Sequence, residues 1–294
     1  MAKIKFREDL RLSKHNKEQL LVINKIIEEY AAEGYKLTLR QLYYQLVSRD
    51  IIANQVREYA KLSNLLVKGR MAGVVDWDAI EDRVRRPFLP YWCEDVPDAI
   101  NDITNSYRLD RQKDQDTYIE VWVEKDALSG VLRRITSEFH VNLMVNRGYS
   151  SCTAMYDAAK RMKNAMCNDK ECHILYLGDH DPSGLDMVRD IRDRLAEFGV
   201  DVTVKAIGLT TEQVKKYNPP PNPAKITDPR AGAYIREHGR VSWEVDALNP
   251  KTLHALVRSN VTALIDMDKF NKIVEQEEED KKKLTRIAVE YEED

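Results

Sequence analysis

The apolar positions change period partway along the chain. Over the first seventy residues they recur at helical spacing: Leu20, Ile23, Ile27, Tyr30 and Ala31 mark one face of a helix over about 17–33, which Gly34 ends. Leu39, Leu42, Tyr43, Leu46 and Val47 mark a second helix, opened by a capping-box pair, Thr38 and Gln41. That stripe assigns Tyr43 to the core. Tyr44 lies about 100° further round, on the face it shares with Arg40 one turn earlier. A third helix follows Asn54, with Val56, Tyr59, Ala60, Ser63, Leu66 and Val67 expected to face inward and Arg57, Lys61, Asn64 and Lys68 to form a polar stripe. From residue 117 the pattern becomes short β-rich runs, at 117–123, 141–145, 174–177 and 202–207, separated by helical stretches over 125–139, 151–166 and 182–199. Such alternation predicts an α/β fold, a parallel sheet with helices on both faces. The helical segment before it, with a basic third helix, predicts a winged-helix or helix-turn-helix domain.

These signals divide the chain into an arm (1–16), a helical, winged-helix-like domain (17–110), an α/β domain (111–265) and a charged C-terminal helix or tail (266–294). Residues 74–86 are expected to form a wing anchored by Trp77 and Ile80, with Arg83, Arg85 and Arg86 available to phosphates. Pro87, Pro90 and Pro97, with the polar run to Asp116, read as a linker. Five prolines between Pro219 and Pro229 exclude regular structure there and predict a loop over the sheet. A further helix is expected over 251–265, and Phe270, Ile273, Leu284 and Ile287 are the apolar anchors of the last segment.

With 294 residues, 43% of them hydrophobic, the chain can bury a core of one extended domain or two. Its net charge of −3 means that any nucleic-acid surface must be local. Residues 36–71 supply one, carrying seven Lys and Arg against Asp50 and Glu58. No apolar run is long enough to span a bilayer and the amino terminus lacks the apolar stretch of a signal peptide, so the expected location is cytoplasmic, with no membrane partner. Cys167, Cys172 and His173 make half of a zinc site, and no second Cys/His pair completes it.

Two of the β-rich runs end in acids. Glu124 closes the first, and Ile174-Leu175-Tyr176-Leu177-Gly178-Asp179-His180-Asp181-Pro182-Ser183-Gly184 closes the third with two. Alternation along a strand points Asp179 and Asp181 the same way and leaves His180 as a structural group on the other side. Three carboxylates at one sheet edge suit a hard divalent cation, Mg²⁺ or Mn²⁺. A βα loop whose Asp residues cap the next helix accounts for the same residues. Arg147, after the second strand, is placed either to hold a phosphate or to pair with a surface acid.

Val123-Glu124-Lys125-Asp126, Arg147-Gly148-Tyr149-Ser150, the run from Gly178 to Gly184, Ala206-Ile207-Gly208-Leu209-Thr210, the proline-rich loop and Trp243-Glu244-Val245-Asp246-Ala247-Leu248 follow one another over about 117–260. In this order they resemble the Toprim domain of the topoisomerase VI A subunit and Spo11 proteins. The resemblance implies tyrosine attack on a DNA phosphodiester, with Mg²⁺ held by Glu124, Asp179 and Asp181. Glu124 is either a ligand or the group that handles a proton for the leaving oxygen. Arg40-Gln41-Leu42-Tyr43-Tyr44 matches the family's arginine followed by a tyrosine pair, which makes Tyr44 the expected nucleophile, with Arg40 favouring its phenolate and holding the phosphate, while a helix packed on two sides accounts for the same Leu-Tyr-Tyr-Gln-Leu run. Arg57, Lys61, Lys68 and Arg147 are the expected DNA contacts, and a homodimer the expected assembly. The chain carries no ATP site of its own, so ATP-driven strand passage would require a separate ATPase subunit. A Toprim nuclease that uses water, and a DNA-binding protein without cleavage activity, remain open beside the covalent reading.

Overall fold

The computed structural model describes residues 4–7, 10–81, 90–146, 148–224 and 226–293. Its first part is three helices: α1 (Lys14–Ala32), α2 (Leu39–Ser48) and α3 (Val56–Met71). Ser13 caps α1 one turn earlier than the apolar stripe begins, and the Thr38–Gln41 capping box opens α2 as expected. Leu20, Ile23, Ile27, Leu42, Leu46, Leu66 and Val75 pack into one core. The inward face of α3 differs from expectation: Leu62, Leu65, Leu66 and Gly69 are buried, whereas Val56 is 88% exposed and Val67 56%. Close packing at Gly69 fixes this rotation, because a Cβ there would stand 2.8 Å from Val75 and 3.0 Å from Leu20. In the expected wing, residues 77–79 form a 3₁₀ turn and Ile80 joins Leu37 in a single parallel bridge. Arg83, Arg85 and Arg86 lie outside the described residues.

The expected linker contains a helix, α4 (Val96–Ser106). Asp95 caps it, accepting from the Asp98 N–H at 2.8 Å, and Pro97 fits its first turn, where a missing N–H leaves nothing unsatisfied. The prolines that suggested a linker thus include one that starts a helix. After it come β1 (Thr117–Val123), α5 (Ser129–Phe139), β2 (Asn142–Val145), α6 (Cys152–Met166), β3 (Glu171–Leu177), α7 (Pro182–Glu197) and β4 (Thr203–Gly208). The strands form a wholly parallel sheet in the order β2-β1-β3-β4, as the alternating pattern predicts. One face, through Ile119, Val121, Val123, Leu175 and Leu177, packs on α5 and on α10 (Pro250–Thr262), which follows α8 (Thr211–Tyr217) and α9 (Ala231–His238). The other, through Trp122, Ile174 and Tyr176, packs on α6 and α7.

Glu120, in mid-sheet, is fully buried on the second face. Arg161 meets it with two bonds of 2.8 and 3.0 Å, and Trp122 Nε1 and Tyr118 Oη complete its acceptor capacity. Between Pro219 and Pro229 the chain is irregular apart from a two-residue antiparallel pairing of 222–223 with 241–242. Among the described residues no helix is long and apolar enough to cross a membrane.

The last segment is a 27-residue helix, α11 (Met267–Glu293), packed along α4. Phe270 anchors it against Phe139, but Ile287 is 52% exposed and Ala288 is buried instead. Its strongest tie is an acid. The Glu277 carboxylate is fully buried and accepts from Lys281 Nζ at 2.7 Å, an Arg111 guanidinium nitrogen at 2.9 Å and the Leu109 N–H at 3.1 Å. Burial alone would raise its pKa, and these donors instead hold it at about 2. A folded-state value below the unfolded 4.5 contributes stability that is full above 4.5 and lost as the pH falls toward 2. Glu277→Ala is expected to remove about 3–5 kcal/mol at neutral pH, because it leaves buried cationic donors uncompensated. Urea unfolding of wild type and variant should show this as a lower midpoint, with the gap closing as the pH drops below 4.5.

Candidate active site

Four separate stretches of chain meet at the carboxyl ends of β1 and β3. These two strands pair in register to Val123 opposite Leu177, so Glu124 and Gly178 leave the sheet side by side. The Glu124 N–H donates to Leu177 O at 2.9 Å, and Glu124 Oε2 accepts the Asp179 N–H at 3.0 Å. Asp179 Oδ1 accepts the Val245 N–H at 2.9 Å, which brings in the 3₁₀ turn Val245–Ala247 with an acid on either side of its first residue, Glu244 and Asp246. On the far side of that turn lies α2, presenting Arg40 and Tyr44.

The contacts are dense and mostly ionic. Lys125 Nζ lies 2.9 Å from Asp179 Oδ2, 2.7 Å from Glu244 Oε2 and 3.3 Å from Asp246 Oδ1. Arg40 donates through Nε to Asp246 Oδ2 at 2.5 Å and through a terminal nitrogen to Glu244 Oε2. Tyr44 Oη donates to that same Glu244 oxygen at 2.6 Å, and an Arg40 nitrogen lies 3.4 Å from the phenol. The Asp246 side chain is wholly buried, and Lys125 is partly buried.

Electrostatics follow from this crowding. Burial opposes the charge of Lys125 and Arg40, but Asp246 and its neighbouring acids overcome it, so both cations sit above their ordinary values. Glu244 would be raised by burial, and Lys125, Tyr44 and Arg40 together hold it at about 2. Asp179 goes the other way: burial pushes it up to about 7 against the pull of Lys125, with Glu124 and Asp246 adding to the rise. Among the described residues five carboxylates, Glu124, Asp179, Asp181, Glu244 and Asp246, stand at this edge, and Lys125 and Arg40 reach three of them, Asp179, Glu244 and Asp246.

Asp179 and Asp181 have different duties. Asp181 caps α7, its Oδ1 accepting the Gly184 N–H at 2.7 Å and the Ser183 hydroxyl at 2.8 Å. The helix-capping account of the sequence thus holds for Asp181, while Asp179 belongs to the ionic network. Gly184 is required by the close approach of backbone: a Cβ there would collide with the Asp179 carbonyl oxygen. His180 is structural as expected, with Nδ1 2.9 Å from Tyr234 Oη, Nε2 3.0 Å from Thr211 Oγ1 and an edge contact to Trp243.

Both tyrosines of α2 are buried, Tyr43 bonding Asn54 Oδ1 at 2.9 Å, so the helix is packed on two sides. Arg40 does not favour the Tyr44 phenolate on balance. Burial and the bond to Glu244 raise that phenol, and they outweigh the guanidinium. Arg57, Lys61 and Lys68 are exposed along α3 as expected, although Arg57 and Lys61 both reach Glu58, at 3.2 and 2.8 Å. Arg147 lies outside the described residues. Lys125, Glu244 and Asp246 carried no assigned role in the sequence, and the Glu-x-Asp spacing of the last two, the same as Asp179-x-Asp181, was the available signal.

Among the described residues no three His, Cys, Asp or Glu side chains are gathered as a ready metal cage. In donor chemistry the edge nonetheless fits a hard cation, because the carboxylates of Glu124 and Asp179 come together at the ends of adjacent strands. The class defined by fold and site is an α/β protein whose parallel sheet presents an acidic carboxyl edge to a phenol and a guanidinium from a helical segment. No family model matches the chain, and neither a curated protein nor a solved structure matches it.

The network predicts unequal mutational costs. Arg40→Met leaves the buried Asp246 carboxylate with Lys125 as its remaining cation and is expected to destabilise the fold by about 3 kcal/mol. Tyr44→Phe removes one hydroxyl from an acid that keeps two cations and is expected to cost about 1 kcal/mol. Denaturant midpoints of the two variants, measured side by side, check the order.

Proposed function

We propose that the chain is a DNA-cleaving protein of the topoisomerase VI A/Spo11 type, with a Toprim-like sheet domain and a winged-helix-like helical domain. The observation that carries this reading is the delivery of Tyr44 and Arg40, from α2, to the acidic carboxyl edge of the sheet by direct bonds to Glu244 and Asp246. A phenol is an oxygen nucleophile, a guanidinium binds a phosphodiester, and carboxylates hold the cation that such chemistry needs. Mg²⁺ or Mn²⁺ would be held by Glu124 and Asp179, with Asp181 beside them, and would supply charge stabilisation at a phosphoryl oxygen. Arg40 orients the phosphate and Tyr44 Oη attacks the phosphorus. The exposed stripe of Arg57, Lys61 and Lys68 tracks the backbone of the duplex, and two copies of the chain would present two sites to two strands.

One observation favours a second reading, hydrolysis by water at the same acids. Tyr44 is only 4% exposed, so covalent attack requires α2 to part from the 245–247 turn, whereas water needs no such opening.

Incubation with supercoiled DNA and Mg²⁺, followed by denaturation and protease treatment, separates the two. The expected result is protein attached to DNA ends, absent in Tyr44→Phe and in Asp179→Ala. Nicking that survives Tyr44→Phe but not Asp179→Ala would assign the site to hydrolysis. Replacing Arg57, Lys61 and Lys68 together by Ala should flatten the salt dependence of DNA binding by about 0.9 in log–log slope for each phosphate released, with little change in sequence preference. An unchanged slope would place the DNA on another surface.

A further inference from the structure

We infer that Glu244 is a catalytic residue, the group that takes the Tyr44 proton as the phenol attacks phosphorus. The inference rests on the tyrosine reading above and adds to it a proton acceptor outside the acids assigned to the cation.

Glu244 Oε2 is the acceptor of the Tyr44 hydroxyl at 2.6 Å, so the proton already points along the transfer path. No other side-chain acceptor is bonded to that hydroxyl among the described residues. Its neighbours have separable tasks. Asp246 holds Arg40 through Nε and so aims the guanidinium past Tyr44, while Asp179 is engaged with Lys125 and the Val245 N–H. Glu244 alone touches the phenol, the guanidinium and the ammonium with a single oxygen.

This geometry also sets the timing. With Arg40 and Lys125 both on it, Glu244 is a weak base in the resting protein, and the buried phenol keeps its proton. A DNA phosphodiester entering beside Arg40 competes for the guanidinium. As that bond moves from carboxylate to phosphate, Glu244 loses a stabilising cation and gains basicity when the phosphorus comes within reach of Tyr44 Oη. The Oη–P bond then forms, the bond from phosphorus to the leaving strand oxygen breaks, and the Tyr44 proton passes to Glu244 Oε2. The leaving oxygen takes one proton from solvent, Glu244 returns one to it, and no net charge or co-reactant is left over.

The test uses the full chain with supercoiled plasmid DNA and Mg²⁺, reading the rate of covalent protein–DNA adduct formation. Glu244→Gln keeps the size and an acceptor oxygen but takes no proton, and is expected to slow the adduct by about 10²-fold or more while DNA affinity stays within about threefold. The decisive readout is 3,5-difluorotyrosine at position 44, whose more acidic phenol needs less help. It should restore the adduct rate in Glu244→Gln by about tenfold or more and change the wild-type rate much less. A merely structural Glu244 would not produce that selective rescue. Should Glu244→Gln not fold, Glu244→Asp withdraws the carboxylate by one methylene, and the same slowing and rescue are expected. Adduct formation by the Gln or Asp variant at the wild-type rate, or an equal gain from the fluorinated tyrosine in both backgrounds, would overturn the role of Glu244 and leave the tyrosine reading standing. Absence of any adduct from the wild-type protein would overturn both.

Discussion

The structure depends on keeping opposite charges paired where the helical segment meets the sheet. Asp246 is wholly buried and Glu244 partly so, and such acids are accommodated there by Arg40 from one side and Lys125 from the other. The same pairing fixes orientation. A hydrophobic contact would let α2 slide along the 245–247 turn, but a guanidinium bonded through two nitrogens to two acids admits one register. What docks the two regions of the molecule is therefore also what holds Tyr44 in place, and stability and the proposed chemistry draw on the same atoms.

A site of this kind is held with unequal tension on its two sides. Around Glu244 positive charge dominates and the carboxylate is strongly acidic, whereas at Asp179, a single lysine bond away, burial outweighs the pull of Lys125 and pushes the carboxyl up to about 7. Carboxylates pushed apart in this way take on different chemical characters although the residue types are nearly the same. Lys125 is the hinge between them, bonded to both.

Much of the fold was legible because its elements are periodic. The stripes of α1 and α2 and the alternation of short apolar runs with helices from residue 117 led to the right elements, and the acids at the ends of β1 and β3 stood out where apolar runs stopped. What stayed hidden has identifiable causes. Prolines mark both linkers and helix starts, so α4 read as a connection. A glycine packed against Leu20 and Val75 rotates α3 away from its most apolar stripe. Glu244 and Asp246 lie in a 3₁₀ turn without periodicity, and their meaning comes from contacts with Arg40 and Tyr44, about two hundred positions away in the chain.

That separation has a consequence during synthesis. At about 5–20 residues per second, a ribosome needs roughly 10–40 s to carry the chain from α2 to the turn that receives it. Throughout that interval Arg40 and Tyr44 sit on a helix that has α1 and α3 to pack on, while its second face waits for the rest of the chain. A nascent or truncated chain therefore presents the guanidinium and the phenol beside an exposed basic helix, without the acids that pair with them in the full chain. Assembly of this ionic network is thus a late event in the life of the folding polypeptide.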